Sequence, residues 1–364
     1  MTSYNMLEEV RKEINRIDKE LIDLISKRIK IGKKVAEAKV GEGDETFFRP
    51  DREQAVLNRI KELNPGELDN VRLQNIFREI MGATIDVQTS MKVGYLGPEG
   101  TFSHQAAIKK FGHTIELTPC VGFYEIFDEV QKENLRYGIV PIENSIEGVV
   151  NNTLDHLLQF DLNIYSEVYL AIHNNLLSYA EDYSQIKTIY THPQPFGQCR
   201  KWLQKHIPKV DFIETSSTSK AAHIIAEKKD PSIAAIAPIA AAEVLNLPIM
   251  AKKIEDHERN NTRFIVISKE KALATPDSRT TIMFAVHHEP GSLFQALQPI
   301  HERKLNMTSI ESRPYRKEPW NYIFYLDLLG HIDDPEVKEA LELIKNSTPF
   351  FRVLGSYPVD QSFS

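Results

Sequence analysis

From Leu7 the apolar positions fall at Val10, Ile14, Ile17, Leu21 and Leu24, and resume at Ile31, Val35 and Ala38. Intervals of three and four alternate, the heptad spacing that turns one stripe of a helix toward partner helices. A second helix is expected in RPDREQAVLNRIKEL. A third is expected in ELDNVRLQNIFREIMGATIDVQ, whose apolar face runs through Leu73, Ile76, Phe77 and Ile80 and turns polar at Thr84 and Gln88. Residues 5–88 therefore read as all helix. Past a polar joint at 87–92 the period changes: residues 92–268 alternate short apolar runs with helical stretches, the α/β pattern. Residues 280–357 read strand, helix, strand, strand, helix, strand, a ferredoxin-like order. KALATPDSRT at 271–280 is a linker by composition. The expected fold class is multidomain α and α/β, with domains at 1–90, 92–270 and 279–358.

The seam of the first helix contains one misfit, Arg28, one step after Leu24. A guanidinium facing partner helices needs compensation, because an unpaired buried charge costs several kcal/mol; snorkelling or an internal salt bridge would supply it. Lys39 lies three turns on, about 16 Å along the helix and about 20° around it, so both side chains can lean toward one ligand. Arg11 lies about 25 Å from Arg28 on another face. If both belong to one site, Arg11 must come from a second copy of the helix, which points to an intertwined dimer.

Composition changes the picture little. The 364 residues are 41% apolar and 26% charged, which fits folded cores. A net charge of −7 argues against a nucleic-acid role. Cys120 and Cys199 form no metal or disulfide framework, and a reducing compartment is expected. The polar start MTSYNMLEEVRKEI is no signal peptide. SIAAIAPIAAAEVLNLPIM is broken by Pro238, Glu243 and Asn246, so it reads as core rather than membrane. A cytoplasmic protein without metal or cofactor is expected.

In the middle segment, polar residues gather wherever a strand meets a helix or a strand begins. GPEGTFSHQAA follows the first strand; its glycine spacing matches no nucleotide fingerprint, though helix N-terminal amides there suit an anion. PIENSIEG carries Asn144 and Ser145, with a helix expected near Gly148. THPQPFGQC carries Thr191 and Gln198, the latter expected early in a helix. TSSTSKAA caps a helix. Asn260-Asn261-Thr262-Arg263 precedes the apolar strand Phe264-Ile265-Val266-Ile267. Singly, each is capping or turn chemistry; five in succession point to a ligand site of amides, hydroxyls and one arginine. No Ser-His-Asp order, G-x-S-x-G elbow or metal spacing is present.

These motifs carry resemblances. The first segment resembles the all-helical chorismate mutases. That likeness implies a site of Arg11 (from the partner chain), Arg28, Lys39, Arg52, Glu53 and Gln88. Thr84 stands where serine can occur, and Arg49 where an acid can occur. Arginines would hold the two carboxylates of chorismate, while Lys39 and Gln88, with Glu53, would stabilise the breaking ether oxygen. The middle segment resembles prephenate dehydratase throughout and in order, which implies a two-lobed α/β fold similar to periplasmic binding proteins. Thr262 would then act on the leaving hydroxyl, more as hydrogen-bond donor than as full acid. Arg263 would hold the pyruvyl carboxylate or buttress the cleft. Asn144, Ser145, Thr191, Gln198 and Phe264 would complete the pocket. In the third segment Gly291-Ser292-Leu293, opening a helix, and Glu311-Ser312-Arg313-Pro314, on a strand, resemble amino-acid-binding ACT domains. A stabilising or dimerising domain is the plainer alternative.

Together the resemblances cover nearly the whole chain and imply the bifunctional chorismate mutase–prephenate dehydratase family, an isomerase and lyase of phenylalanine biosynthesis with allosteric feedback by phenylalanine. The substrates would be chorismate and prephenate, and the assembly a homodimer or tetramer. Two alternatives are arogenate as the substrate of the middle domain, and a non-catalytic small-molecule sensor.

Overall fold

The structure is a computed structural model that describes residues 3–41, 43, 46–257, 259–314 and 322–361. The expected strand ends at Tyr315 and Asn321 lie outside the described residues. The chain folds as two compact units, one from Met1–Arg49, Val56–Met91 and Phe111–Glu116, the other from Pro50–Ala55, Lys92–Lys110 and Leu117–Ser364. Among the described residues no helix is long and apolar enough to cross a membrane.

The smaller unit is built on α1 (Ser3–Gly41), most of α2 (Pro50–Leu63) and α3 (Asn70–Asp86). With 39 residues, α1 is about 58 Å long. The side chain of Asp69 accepts from Arg72 N and starts α3. The helix α3 meets the C-terminal half of α1 at Gly32, where a Cβ would lie 2.3 Å from Thr84 Cγ2, so only glycine permits this approach. The heptad seam does something else. Leu7, Val10, Ile14, Ile17, Leu21 and Leu24 are all 43–60% exposed, so α3 does not cover them.

In the larger unit a first sheet is formed by β1 (Lys92–Leu96), β2 (Glu116–Cys120), β3 (Tyr137–Asn144), the short β4 (Gly148–Val149) and β5 (Asn163–Ala171). The helices α4 (Phe102–Phe111), α5 (Phe123–Gln131) and α6 (Asn151–Gln159) connect these strands. A second sheet takes β6 (Asn175–Leu177), β7 (Thr188–Thr191), β8 (Asp211–Glu214), β9 (Ile233–Ala237) and β10 (Ile249–Ala251). Its helices are α7 (Pro193–Gln198), α8 (Arg200–His206), α9 (Thr218–Lys228) and α10 (Ile239–Leu245). The chain then returns to the first sheet as β11 (Asn261–Ser268), giving the orders β2-β1-β3-β11-β5 and β10-β6-β9-β7-β8. Two lobes are thus joined by two crossings, near residues 172–174 and 252–260. The Gly148 region is strand before it is helix, because Gly148 and Val149 pair with Asn144 and Glu143. Gln198 ends its helix instead of opening it.

The last sheet, in the order β13-β14-β12-β15, comprises β12 (Ser278–Ala285), β13 (Met307–Pro314), β14 (Tyr322–Leu329) and β15 (Phe350–Pro358), all antiparallel. Its apolar face packs Ile282, Phe284, Leu326 and Leu328 with α11 (Ser292–Glu302) and α12 (Pro335–Ser347). The opposite face lies on the first lobe. Tyr325 OH donates to Leu154 O at 2.8 Å, Arg352 Nη2 to Leu157 O and Phe160 O at 2.8 Å, and Gly355 passes so close to Ile164 O that a Cβ would sit 2.2 Å from it.

Candidate active sites

The strand β11 begins three residues before its apolar run, so Asn261, Thr262 and Arg263 lie within the sheet and Asn260 just ahead of it. Thr262 pairs in register with Asn144 at the end of β3. The N–H groups of Ile146 and Glu147 both donate to Asn144 Oδ1 at 3.0 Å. Backbone donors cannot be reversed, so this amide has one permitted orientation. Its Nδ2 donates to Thr262 Oγ1 at 2.9 Å and to Asn260 Oδ1 at 2.8 Å. From the second lobe Gln198 reaches the same place. Its Oε1 accepts from Asn174 Nδ2 at 3.1 Å and Asn260 Nδ2 at 3.2 Å, and its Nε2 donates to Glu147 Oε1 at 3.0 Å. Asn144, Thr262 and Gln198 are therefore brought together.

The other expected residues of this site are placed elsewhere. Ser145 Oγ donates to Arg259 O and accepts from Asn261 N, which laces the loop to β11. Thr191, fully buried, donates to Ile236 O at 2.8 Å, and Phe264 lies in the core. Of the two roles open to Arg263, holding a carboxylate or buttressing, its contacts match the second. As expected of neighbouring strand residues, it points away from Thr262. Its Nη2 lies 2.6 Å from Asp327 on β14 and its Nη1 3.9 Å from Glu167 on β5. Arg279 joins these acids at 3.4 and 3.5 Å, closing a buried set of two cations and two carboxylates. Burial opposes the charge of Arg263, but Asp327 and Glu167 outweigh it and raise its pKa; burial raises that of Glu167, which the arginines only partly offset.

Near Gln198, burial pushes the Cys199 thiol well above its usual value, with Glu255 and Asp256 adding to the shift, so it is no nucleophile. The Gly100 N–H of the GPEG turn is taken by His104 Nδ1 at 3.1 Å. Sequence reasoning missed Glu147, Asn174 and Asn260 as members of the cluster. Asn260 stood in the quoted motif, and its near-complete burial was not visible there.

In the smaller unit, Arg28 Nη1 donates to Thr84 Oγ1 at 2.7 Å and Ile80 O at 3.3 Å, and Gln88 Nε2 to Gly32 O at 2.9 Å. Lys39 Nζ donates to Thr46 O. Arg28, Thr84 and Gln88 thus meet at the α1–α3 junction, while Lys39, further along α1, is tied to the segment that precedes α2. Arg11 is exposed on the uncovered half of α1. Arg49 is half-buried just before α2. Arg52 and Glu53 belong to the larger unit, where Glu53 pairs with Lys110 at 2.7 Å.

In the third domain a cavity of about 250 Å³ is lined by Gly291, Ser292, Leu293, Phe294, Tyr322 and Phe324, among others. Glu311, Ser312 and Arg313 lie apart from it on the edge strand β13, and Arg313 makes a two-toothed pair with Asp155 at 2.9 Å.

A three-helix segment, a two-lobed α/β body with an amide-and-hydroxyl cluster at the lobe junction, and a ferredoxin-like domain with a ligand-sized cavity define a regulated, multidomain small-molecule enzyme. Comparison with known proteins gives the family. Residues 10–89 match chorismate mutase type II, 93–272 match prephenate dehydratase and 280–342 match the ACT domain. The bifunctional chorismate mutase/prephenate dehydratase of Aquifex aeolicus is 41% identical over 356 residues, covering 97% of this chain and 98% of that protein. The solved prephenate dehydratase of Arthrobacter aurescens, in complex with L-Phe, superposes with a TM-score of 0.69 at 32% identity, covering 74% of this chain and 90% of that one. A structure described as the quorum-quenching acylase GqqA also reaches 0.69, at 26% identity over 75% of this chain and all of that one, so the fold alone does not fix an activity. The full-length likeness does: the chain belongs to the bifunctional chorismate mutase/prephenate dehydratases. It rearranges chorismate to prephenate, and converts prephenate to phenylpyruvate, water and carbon dioxide, which sets aside the sensor alternative.

Proposed function

We propose that Thr262 is the hydrogen-bond donor to the hydroxyl that leaves prephenate. The fixed orientation of Asn144 carries this assignment. Because Asn144 Nδ2 donates to Thr262 Oγ1, that oxygen is already an acceptor, and among the described residues none takes the Thr262 proton. A donor so held stabilises the departing oxygen as the ring carboxylate leaves as carbon dioxide and its electron pair enters the ring. Gln198 and Asn144 orient the substrate, while Arg263 acts from behind the strand. Ser145, Thr191 and Phe264 support the pocket rather than touch substrate.

For the mutase, Arg28 and Lys39 bind the carboxylates of chorismate, and Gln88 with Lys39 faces the ether oxygen. Thr84 orients Arg28. Arg11 is supplied by a second copy, whose helix covers the exposed seam of α1 in a homodimer. Arg49, Arg52 and Glu53 enter by family resemblance alone. The 250 Å³ cavity takes phenylalanine, with the ring against Leu293 and Phe324 and the carboxylate at the α11 amides. Glu311, Ser312 and Arg313, on a sheet edge, act at a contact between two such domains, as in a dimer or tetramer. The domain limits are 1–90, 92–270 and 279–358, and the compartment is the cytoplasm. The test is phenylpyruvate formation from prephenate with and without phenylalanine: turnover suppressed by phenylalanine supports the assignment, and turnover indifferent to it removes the effector role.

One observation favours arogenate as a second substrate. Glu147, a carboxylate, stands on Gln198 and suits an ammonium better than a keto group. Specificity constants for both substrates, in the native protein and in Glu147→Gln, separate the two: a preference for arogenate that Glu147→Gln reverses establishes this role.

A further inference from the structure

We propose that Asn260, in the second crossing between the lobes, is a positioning residue that transmits one donor–acceptor polarity from Asn144 to Gln198. The inference rests on the assignment of Thr262 as donor and deepens it. The polarity starts at two atoms that cannot change role, the N–H groups of Ile146 and Glu147 at Asn144 Oδ1. Asn144 Nδ2 must then be the donor, and Asn260 Oδ1, 2.8 Å away, the acceptor. Rotating the Asn260 amide by half a turn would set two NH₂ groups against each other. Asn260 Nδ2 is thereby aimed at Gln198 Oε1 at 3.2 Å, which leaves Gln198 Nε2 as the donor toward Glu147 at 3.0 Å.

A second observation, from the first crossing, agrees. Asn174 Nδ2 also donates to Gln198 Oε1 at 3.1 Å, while Asn174 Oδ1 is buried without a hydrogen-bond partner. An unpartnered buried carbonyl is unfavourable, yet turning this amide over would put its oxygen on the oxygen of Gln198. Asn260 is 1% exposed and Asn174 is fully buried, so bulk solvent does not relieve the constraint. Each crossing contributes one asparagine, and both name the same atom of Gln198 as the acceptor. The backbone anchor at Asn144 fixes the Thr262 hydroxyl as acceptor from Asn144 and donor to substrate, and the relay through Asn260 fixes the face that Gln198 presents from the other lobe.

The test uses Asn260→Asp in the full-length protein. An ionised carboxylate still accepts from Asn144 but opposes Gln198 Oε1; a protonated one can donate to it. The dehydratase kcat/KM of the variant should fall about tenfold near pH 8. Its ratio to the native value should recover as pH falls through the range in which a buried carboxyl takes a proton. Asn260→Leu, with no polar atom, should fall at least as far and show no recovery. The titratable groups facing the relay are Glu147 on Gln198, and Glu255 with His173 beside Asn174; the native profile in parallel accounts for them. Because Asn260 lies in the larger unit and the mutase residues Arg28, Lys39, Thr84 and Gln88 in the smaller, the fold is checked in each sample by circular dichroism and by the unfolding transition of the larger unit. Should Asn260→Asp not fold, Asn260→Ala replaces it, with kcat for prephenate expected to fall about tenfold.

A variant-to-native ratio for Asn260→Asp that is flat with pH, or Asn260→Ala with native kcat, overturns the relay. Thr262→Val measured alongside separates the two levels. If Thr262→Val is inactive and the Asn260 variants are native-like, only the relay is wrong. If Thr262→Val is active, the donor assignment itself fails.

Discussion

Replacing Asp327 by Asn changes one atom type and should disturb two domains. Asp327 is 4% exposed and belongs to β14 of the third domain, and its Oδ2 lies 2.6 Å from Arg263 and 3.5 Å from Arg279. Thr281 Oγ1 donates to its Oδ1 at 2.6 Å. With Glu167 the set is neutral; Asp327→Asn leaves two buried guanidinium groups facing a single carboxylate whose pKa is already raised by burial. Removing one partner of a buried ion pair costs about 3–5 kcal/mol, chiefly because the other charge remains. That is about a third of the stability of a typical domain. For a body of this size it lowers Tm by roughly 6–20 °C. Denaturant unfolding, with each transition followed separately, measures it. The double variant Asp327→Asn with Arg279→Met restores neutrality and should recover at least about 1 kcal/mol of the loss, a coupling that a double-mutant cycle isolates. Dehydratase turnover should fall with the stability, since Arg263 adjoins Thr262 in β11, while mutase turnover holds. A loss below about 1 kcal/mol for Asp327→Asn would refute the reasoning, because it would mean the set is hydrated or already neutralised.

Other perturbations follow from separate parts of the molecule. Arg28→Ala should lower mutase turnover at least about a hundredfold and leave dehydratase turnover within about twofold, as paired assays on one sample will read. The proposed homodimer is tested by Leu21→Glu, on the half-exposed seam of α1, which should cost under about 0.5 kcal/mol in a single chain but bring the light-scattering mass to that of a monomer; a mass equal to the native protein's would remove the seam from the interface. Glu255 has its pKa lowered: burial works to raise it, but the His173 contact at 2.7 Å and the Asn174 N–H at 2.9 Å prevail. Its contribution to stability is therefore present above the unfolded carboxyl pKa and lost as pH falls through the lower folded value. Glu255→Gln should flatten this part of the acid limb in a pH series of unfolding midpoints.

Much of the architecture was legible because it follows from periodicity. The heptad spacing gave α1, and polar residues bunched at strand ends marked Asn144, Gln198 and Thr262. What the sequence could not supply was direction. Whether Arg263 faces substrate or the core depends on which face of β11 it takes, and the structure turns it toward two acids. A signal for that existed: Glu167 in YSEVYLA and Asp327 in YLDLL are lone acids within apolar strands, and each needs a buried cation. Asn260 and Asn174 were hidden for another reason. They lie 86 positions apart in irregular crossings, and their meeting at Gln198 is a product of the two-lobe topology. The heptad pattern of α1 anticipated partner helices, but among the described residues its N-terminal seam stays exposed, and α3 packs on a different stripe through Gly32.

The central claim is that two chemistries reside in two separable sites, with Thr262 the donor of the second. The most direct measurement follows both reactions in one preparation of Thr262→Val, and again in Thr262→Ser. Loss of one oriented donor should reduce phenylpyruvate formation from prephenate by about 10²–10³-fold in Thr262→Val. Thr262→Ser should restore most of it, and prephenate formation from chorismate should be unchanged in both. Dehydratase turnover in folded Thr262→Val within about tenfold of the native protein, or a parallel loss of mutase turnover, would contradict the account.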